Sequence, residues 1–274
     1  MKYAYVSGIT DDNFLIGVLI MFRSLNMYCE DKAIERLCFV TDNVSDQSIE
    51  VIKRENIIPV HVSLIKESGE GRWKTTFQKL SVFSFTDYDK IVWIDADMMV
   101  CNNLDKLFNK PHMSCVKSRS PKITGGISFN SGLMVIEPNI NEYNELVRSI
   151  DGVVRLYTSL GSSVGDQNIL NEYYDEWPME NENLLNDGYN VFWGSIEKYL
   201  DEGYSVKNNV QKNISILHFT GLHKPWHRRY LFIIKSWIRS IRHSKHLPNV
   251  ESRCMLKEYY EIHDEIINLI NPEK

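Results

Sequence analysis

Short apolar runs and stretches of helical periodicity alternate along the first third of the chain. Residues 3–9 are a β-rich run ending in Ser7-Gly8-Ile9-Thr10-Asp11-Asp12, a turn with capping residues. Phe14, Val18, Met21, Phe22 and Leu25 then recur at helical spacing and predict a helix over 13–28. Residues 37–40 predict a second strand, ending in Thr41-Asp42. Residues 45–55 predict a helix capped by Ser45, and 57–62 a third strand. The polar, Gly-containing stretch 66–73 predicts a mobile loop, and 74–86 an amphipathic helix. Ile91, Val92, Trp93 and Ile94 are too short a run for a helix and lack polar alternation, which predicts a buried strand of a parallel sheet. The order β-α-β-α-β-α-β is that of an open, mostly parallel α/β sheet.

The second half is less regular. Residues 132–136 predict a strand ending at Glu137-Pro138. Residues 141–160 predict a helix despite Gly152, and 165–174 a further one. Residues 214–219 predict a strand, and 228–243 and 250–270 two closing helices.

Composition narrows the class. The chain has 274 residues, 43% hydrophobic and 24% charged, enough for a large core with no disulfide or metal staple. A net charge of −5 argues against nucleic-acid binding. The cysteines (Cys29, Cys38, Cys101, Cys115, Cys254) are odd in number and scattered, which predicts a reducing, cytoplasmic compartment. The apolar run 14–22 follows Asp11 and Asp12 rather than basic residues and is too short to span a bilayer, so no secretory signal is expected. Neither G-x-G-x-x-G nor G-x-x-x-x-G-K-[ST] follows the first strand, which leaves dinucleotide and P-loop readings unsupported.

The candidate chemistry starts at Asp95-Ala96-Asp97, directly after the apolar strand. Side chains alternate along a strand, so Asp95 and Asp97 would leave on one side. Two such carboxylates repel unless a cation lies between them, and their oxygens suit Mg2+ or Mn2+. Strand ends of this kind are also where open α/β sheets bind ligands. A turn with two solvated aspartates is the alternative.

Further strings follow in order: Phe129-Asn130-Ser131-Gly132, then Gly165-Asp166-Gln167-Asn168, then His218-Phe219-Thr220-Gly221 with Lys224-Pro225-Trp226. Each alone is common. The ordered set resembles the family 8 retaining glycosyltransferases, the glycogenin-like group that also holds bacterial lipopolysaccharide sugar transferases. The resemblance covers about residues 1–230, and H-F-x-G-x-x-K-P-W is its most specific part. It implies an α/β GT-A fold: a single Rossmann-like nucleotide-sugar-binding domain, 1–226, with a mixed, mostly parallel central sheet, then a helical extension, 227–274. It also implies a UDP-sugar donor, Mn2+ as metal with Mg2+ as the alternative, and retaining transfer of glucose or galactose to a saccharide or glycolipid acceptor.

Residue by residue, the resemblance makes Asp95, Asp97 and His218 metal ligands. An imidazole beside two carboxylates suits Mn2+ better than Mg2+, which prefers oxygen. Gly221 and Lys224 are implied as diphosphate contacts, through close backbone approach and a point charge. Thr10, Asp11 and Phe14 fall where uracil and ribose would lie. Phe14 stands where the family usually has tyrosine, keeping the stacking face and losing the hydroxyl. Lys79 matches a basic donor contact. Ala96 and Asp97 are implied beneath the donor ribose and sugar, and Asn130 and Ser131 beside the donor sugar. Asp166 and Gln167 match the pair at the anomeric carbon and are the implied catalytic residues. Plain roles stay open: a core histidine, a first core residue of a helix, a solvated lysine, turn-forming Asn and Ser, an aspartate favoured at a helix N-terminus. Ser162-Ser163-Val164 lacks the acid or the glycines that many relatives carry just before the Asp-Gln pair.

A covalent intermediate would need a carboxylate nucleophile, and only Asp166 offers one. The favoured reading is same-face attack, in which a departing diphosphate oxygen takes the acceptor proton while metal, Lys224 and backbone dipoles stabilise charge. Tyr189, Tyr199 and Tyr204 lie where glycogenins carry the tyrosine they modify, so self-glucosylation is one alternative. A UDP-sugar-binding protein without turnover is another. A haloacid-dehalogenase-type phosphatase also uses an apolar strand and D-x-D, but Met99 stands where such enzymes have Thr or Val.

The tail 228–245 carries Arg228, Arg229, Lys235, Arg239, Arg242 and Lys245 and no acid, interleaved with Tyr230, Phe232, Ile233, Ile234, Trp237, Ile238 and Ile241. It reads either as a peripheral membrane-surface element or as a helix that packs its apolar face on the core. Leu256, Tyr259, Tyr260, His263, Ile266, Ile267 and Ile270 predict that the last helix packs on the tail helix or on a second subunit, giving a homodimer.

Overall fold

A computed structural model describes residues 1–29, 31–63, 65, 76–207 and 212–271. In chain order the elements are β1 (Tyr3–Ile9), α1 (Leu15–Tyr28), β2 (Glu35–Val40), α2 (Asp46–Arg54), β3 (Ile58–His61), a 3-10 helix (Phe77–Ser84), β4 (Lys90–Ile94) and β5 (Met98–Val100). There follow β6 (Ser114–Lys117), β7 (Phe129–Ile136), α3 (Ile140–Ser159), α4 (Asp166–Tyr173), β8 (Leu184–Leu185), β9 (Val191–Phe192), α5 (Ile196–Asp201), β10 (Ile216–His218), α6 (Arg229–Ser244) and α7 (Val250–Ile270). The chain divides into two compact units built from separated segments. The first comprises Met1–Asp12, Lys32–Ile94 and Lys106–Asn186, the second Asn13–Asp31, Asp95–Asp105 and Asp187–Lys274.

The first unit is organised by a sheet of order β3-β2-β1-β4-β7-β6-β8. The predicted β1, β2, β3 and β4 pair in parallel. The apolar runs of β1, β2 and β4 are buried, as strands covered on both faces require, whereas β3, at the edge of the sheet, leaves Ile58 and His61 exposed. β7 runs antiparallel to β4 and β6, which makes the sheet mixed. Ser45 caps α2 as predicted, its Oγ accepting from Ser48 N–H at 3.2 Å.

Two expectations for this unit are corrected. Residues 77–84 form a 3-10 helix, not an amphipathic α-helix, and Phe77 through Phe83 are all buried; Phe77, Leu80 and Phe83 fall in one row, and the polar Gln78, Lys79 and Ser81 on the other rows are buried as well, so no solvated face remains. Residues 74–75 and the predicted loop 66–73 lie outside the described residues. β7 begins at Phe129 rather than at 132. A register shift between Cys115 and Val116 lets β6 stay paired as far as Phe129, so Asn130 and Ser131 are strand residues, not a turn.

The second unit holds a small sheet of order β5-β10-β9, with β10 antiparallel to β5 and parallel to β9. β5 is held to α1 where Val100 N–H donates to Ser24 Oγ at 3.0 Å. A Cβ on Gly17 would come within 2.7 Å of both the Ala96 carbonyl oxygen and the Trp226 ring. Trp226 Nε1 also donates to Asn13 O at 2.9 Å. The helix therefore approaches both the Asp95–Asp97 segment and the K-P-W segment at a position only glycine fits.

The closing helices differ in how they pack. α7 buries Met255, Leu256, Tyr259, Tyr260, Ile262 and Ile266. It contacts α1 through Arg23–Glu265 at 3.1 Å and Tyr28–Glu258 at 2.7 Å, and reaches the tail helix through Arg229–Asp264 at 2.9 Å. α6 is anchored by Phe232 against the Phe219 ring at 6.0 Å and by Ser236 Oγ accepting from Trp193 Nε1 at 3.0 Å. Its apolar stripe faces away: Tyr230, Ile234, Trp237, Ile238 and Ile241 are all exposed. The reading in which α6 packs its apolar face on the core is thereby overturned.

Gly17→Ala should cost about 1–3 kcal/mol through overpacking, read as a fall in thermal midpoint. An unchanged midpoint would mean that the Ala96 and Trp226 contacts yield easily.

Candidate active site

β4 ends at Ile94, the last residue of its segment of the first unit, and β5 starts at Met98 in the second, so Asp95-Ala96-Asp97 is not strand. Strand alternation therefore does not bring the two carboxylates together, and this corrects the sequence argument. A turn does so, closed by Met98 N–H donating to Asp95 O at 3.2 Å. The β5–β10 pairing then adds the histidine: Met98 opposes His218, and Phe219 N–H donates to Asp97 O at 2.9 Å. One ligand atom from each of Asp95, Asp97 and His218 lies within 4.8 Å of the others. Among the described residues no other group of this kind can hold a metal ion.

The donor set fits a borderline divalent cation. Asn190 Oδ1 lies 2.8 Å from His218 Nδ1; with the proton there, the Nε2 lone pair faces Asp97 Oδ1 at 3.2 Å. Such a lone pair cannot rest against a carboxylate oxygen, so a proton or a cation must lie between them. The Asn190 amide oxygen takes the place beside the imidazole that a carboxylate, backbone carbonyl or water takes in metal-binding histidines. Asn190 was not anticipated from sequence, since its role depends on the two-residue strand β9.

Lys224 does not stand apart as a lone cation for diphosphate. Its Nζ is 2.5 Å from Asp97 Oδ2 and 2.9 Å from Phe219 O. Burial pushes the Asp97 carboxyl up, but His218 and Lys224 together outweigh it and hold the group well below the usual carboxylate range. Gly221 has φ +101° and open space where a Cβ would be, so its backbone can be approached closely. Phe14 is half-buried, with its ring edge-on to Trp226 at 5.9 Å.

A second cluster lies in the first unit. Gly165 caps α4 and places Asp166 and Gln167 in its first turn. Asp166 Oδ2 takes both Lys79 Nζ at 2.7 Å and Ser131 Oγ at 2.8 Å, and both charged side chains are about nine-tenths buried. Thr76 Oγ1 accepts from Asp166 N–H at 3.2 Å. Gln167 Oε1 accepts from Asn130 Nδ2 at 2.9 Å and Ser131 N–H at 3.4 Å. A backbone N–H can only donate, so the Gln167 amide is oriented with its NH2 turned outward. Gln167 also lines a polar cavity of about 400 Å³ with Ser162, Ser163, Asn168 and Asn171. Thr10 sits at the end of β1, its carbonyl accepting from Thr41 Oγ1 at 2.9 Å, and Asp11 is half-buried beside it.

Of the tyrosines in question, Tyr199 and Tyr204 are buried and pack edge to face at 5.1 Å. Tyr189 is half-buried, and burial raises its hydroxyl pKa.

Breaking the Lys79–Asp166 pair leaves a buried charge without its counter-charge. Lys79→Met should cost about 3–5 kcal/mol in thermal unfolding. The double change with Asp166→Asn should recover a large part of that. Equal loss in both would show that the pair is not the source.

The glycosyl transferase family 8 model matches residues 6–229. Glycogenin-1 of Oryctolagus cuniculus is 28% identical over 276 residues, covering 94% of this chain and 74% of that protein. Inositol phosphorylceramide glucuronosyltransferase 1 of Arabidopsis thaliana is 31% identical over 180 residues, 65% of this chain, and the match spans 31% of that protein. Among solved structures, galactosyltransferase LgtC in complex with donor and acceptor sugar analogs superposes with TM-score 0.63 at 16% identity, over 96% of this chain and 95% of that one. The fold is the GT-A type, with its mixed, mostly parallel sheet. The chain belongs to glycosyl transferase family 8.

Proposed function

We propose that this protein is a retaining glycosyltransferase that moves a hexose, glucose or galactose, from a UDP-sugar to a separate saccharide or glycolipid acceptor in the presence of Mn2+. The observation that carries the reading is the convergence of Asp95, Asp97 and His218, with Asn190 orienting the imidazole. These residues would hold the ion, which would neutralise charge on the leaving diphosphate. Lys224 and the Gly221 backbone serve the same diphosphate. In the functional division we infer, 1–226 handles the nucleotide sugar and 227–274 extends it. A cytoplasmic setting is part of this reading; the buried thiols of Cys38, Cys101 and Cys115 support it, since reduced cysteines persist there.

The state of Asp166 bears on retention. Its Oδ2 already carries an ammonium and a hydroxyl, and a carboxylate neutralised in that way is a weak nucleophile. This supports same-face attack over a glycosyl-enzyme. In this reading Asp166 positions Lys79 and Ser131, and the outward Gln167 NH2 meets the donor sugar or the incoming hydroxyl. The burial of Tyr199 and Tyr204 favours a separate acceptor over self-glucosylation at those positions.

A panel of UDP-sugars, followed by UDP release with Mn2+ or with chelator, tests this. One UDP-hexose should be turned over only with metal, and Asp97→Asn should lower the rate by roughly 10²–10³-fold. The product should keep the donor's anomeric configuration by NMR, and Asp166→Asn should retain measurable turnover. A glycosyl adduct trapped on Asp166 would sink the same-face mechanism. No release from any UDP-sugar would sink the enzyme reading.

A further inference from the structure

The second unit carries an exposed surface on α6 that the proposed transfer does not account for. Along α6, Tyr230, Ile234, Trp237, Ile238 and Ile241 recur at three- and four-residue spacing and are 80%, 54%, 43%, 43% and 50% exposed. Leu231 lies at the edge of this stripe and is 44% exposed. A helix that turns such a row away from its own core leaves an apolar strip in water, which on soluble proteins marks an interaction site. The next arc of the same helix carries Lys235, Arg239 and Arg242, again three and four residues apart and all exposed. No acid occurs between Arg228 and Lys245. The opposite face is the one that anchors the helix, through Phe232 and Ser236. The apolar row and the basic arc are thus fixed side by side on a rigid element.

The geometry points to docking of α6 on the surface of an anionic lipid bilayer, lying along the headgroup plane. Charge complementarity selects this occupant. An apolar row sinks into the acyl boundary while adjacent cations meet lipid phosphates. Tyr230 and Trp237 are the residue types that settle at that boundary, apolar in body and polar at the tip. A second copy meeting this face about a twofold axis would set the same unpaired cations near one another. A membrane-spanning role does not compete, because no helix among the described residues is long and apolar enough to cross. A docked α6 would hold the protein where lipid-linked acceptors are, but the docking itself does not depend on the transferase reading.

The full-length protein, without nucleotide sugar, is sedimented with vesicles of phosphatidylcholine alone or mixed with phosphatidylglycerol. Binding should appear with the anionic vesicles, weaken in high salt, and be near absent with phosphatidylcholine alone. The combined change Lys235→Gln, Arg239→Gln and Arg242→Gln should lower partitioning roughly a hundredfold. Ile234→Ser with Trp237→Ser should lower it at unchanged charge. Circular dichroism and thermal midpoint verify that each variant folds. No binding of the folded protein to anionic vesicles would overturn the proposal. So would a concentration-dependent dimer abolished by the same substitutions, which would make the face a contact between copies.

Discussion

The Asp97 carboxylate is held almost out of water, its side chain 14% exposed, with His218 on one oxygen and Lys224 on the other. A charge in that position costs several kcal/mol unless its partners are fixed, and much of the second unit can be understood as fixing them. The β5–β10 pairing brings Met98 opposite His218. Phe219 N–H to Asp97 O and Cys101 N–H to Ser215 O pin the segments at both ends. Gly17 lets α1 close on Ala96 and on the Trp226 ring, which steadies the segment that ends the Lys224-Pro225-Trp226 string. Short strands that could not stand alone are stable because each serves this constraint.

The two buried aspartates are satisfied in different ways, and the difference suggests different work. Asp166 has an ammonium and a hydroxyl on one oxygen, in a pocket of side chains that already complement it. Asp97 has an oxygen facing an imidazole nitrogen whose other nitrogen is claimed by Asn190. The first arrangement is closed and suits positioning. The second requires a proton or a cation between the partners, and so is the one able to exchange that proton for a metal.

Local patterns carried much of the fold. The runs 3–9, 37–40 and 91–94 were legible as strands because both their faces are covered, and 57–62 because a short β-prone run sits at the edge of the sheet. Ser45 was legible as a cap because a hydroxyl before a helix has one common use. The Asp95-Ala96-Asp97, Asp166-Gln167 and His218 strings marked side chains that the structure does gather into clusters. What stayed hidden depends on distant pairing. β5 and β9 are three- and two-residue strands that pair only with β10, so neither they nor Asn190 could be seen beforehand. The 3-10 helix at 77–84 escaped because its polar Gln78, Lys79 and Ser81 are buried by their surroundings, which no periodicity reports. The α6 sequence showed an apolar row and a basic arc, but Trp193 and Phe219 decide which face turns inward.

The central claim is that Asp95, Asp97 and His218 hold the ion on which UDP binding depends. Calorimetric titration of UDP, with Mn2+ and with chelator, tests it without needing the sugar or the acceptor. The account predicts that Mn2+ tightens UDP binding, that UDP tightens Mn2+ binding by the same factor, and that His218→Ala removes the coupling in a folded protein. Equal UDP affinity in chelator and in Mn2+, or coupling that survives His218→Ala, would contradict it.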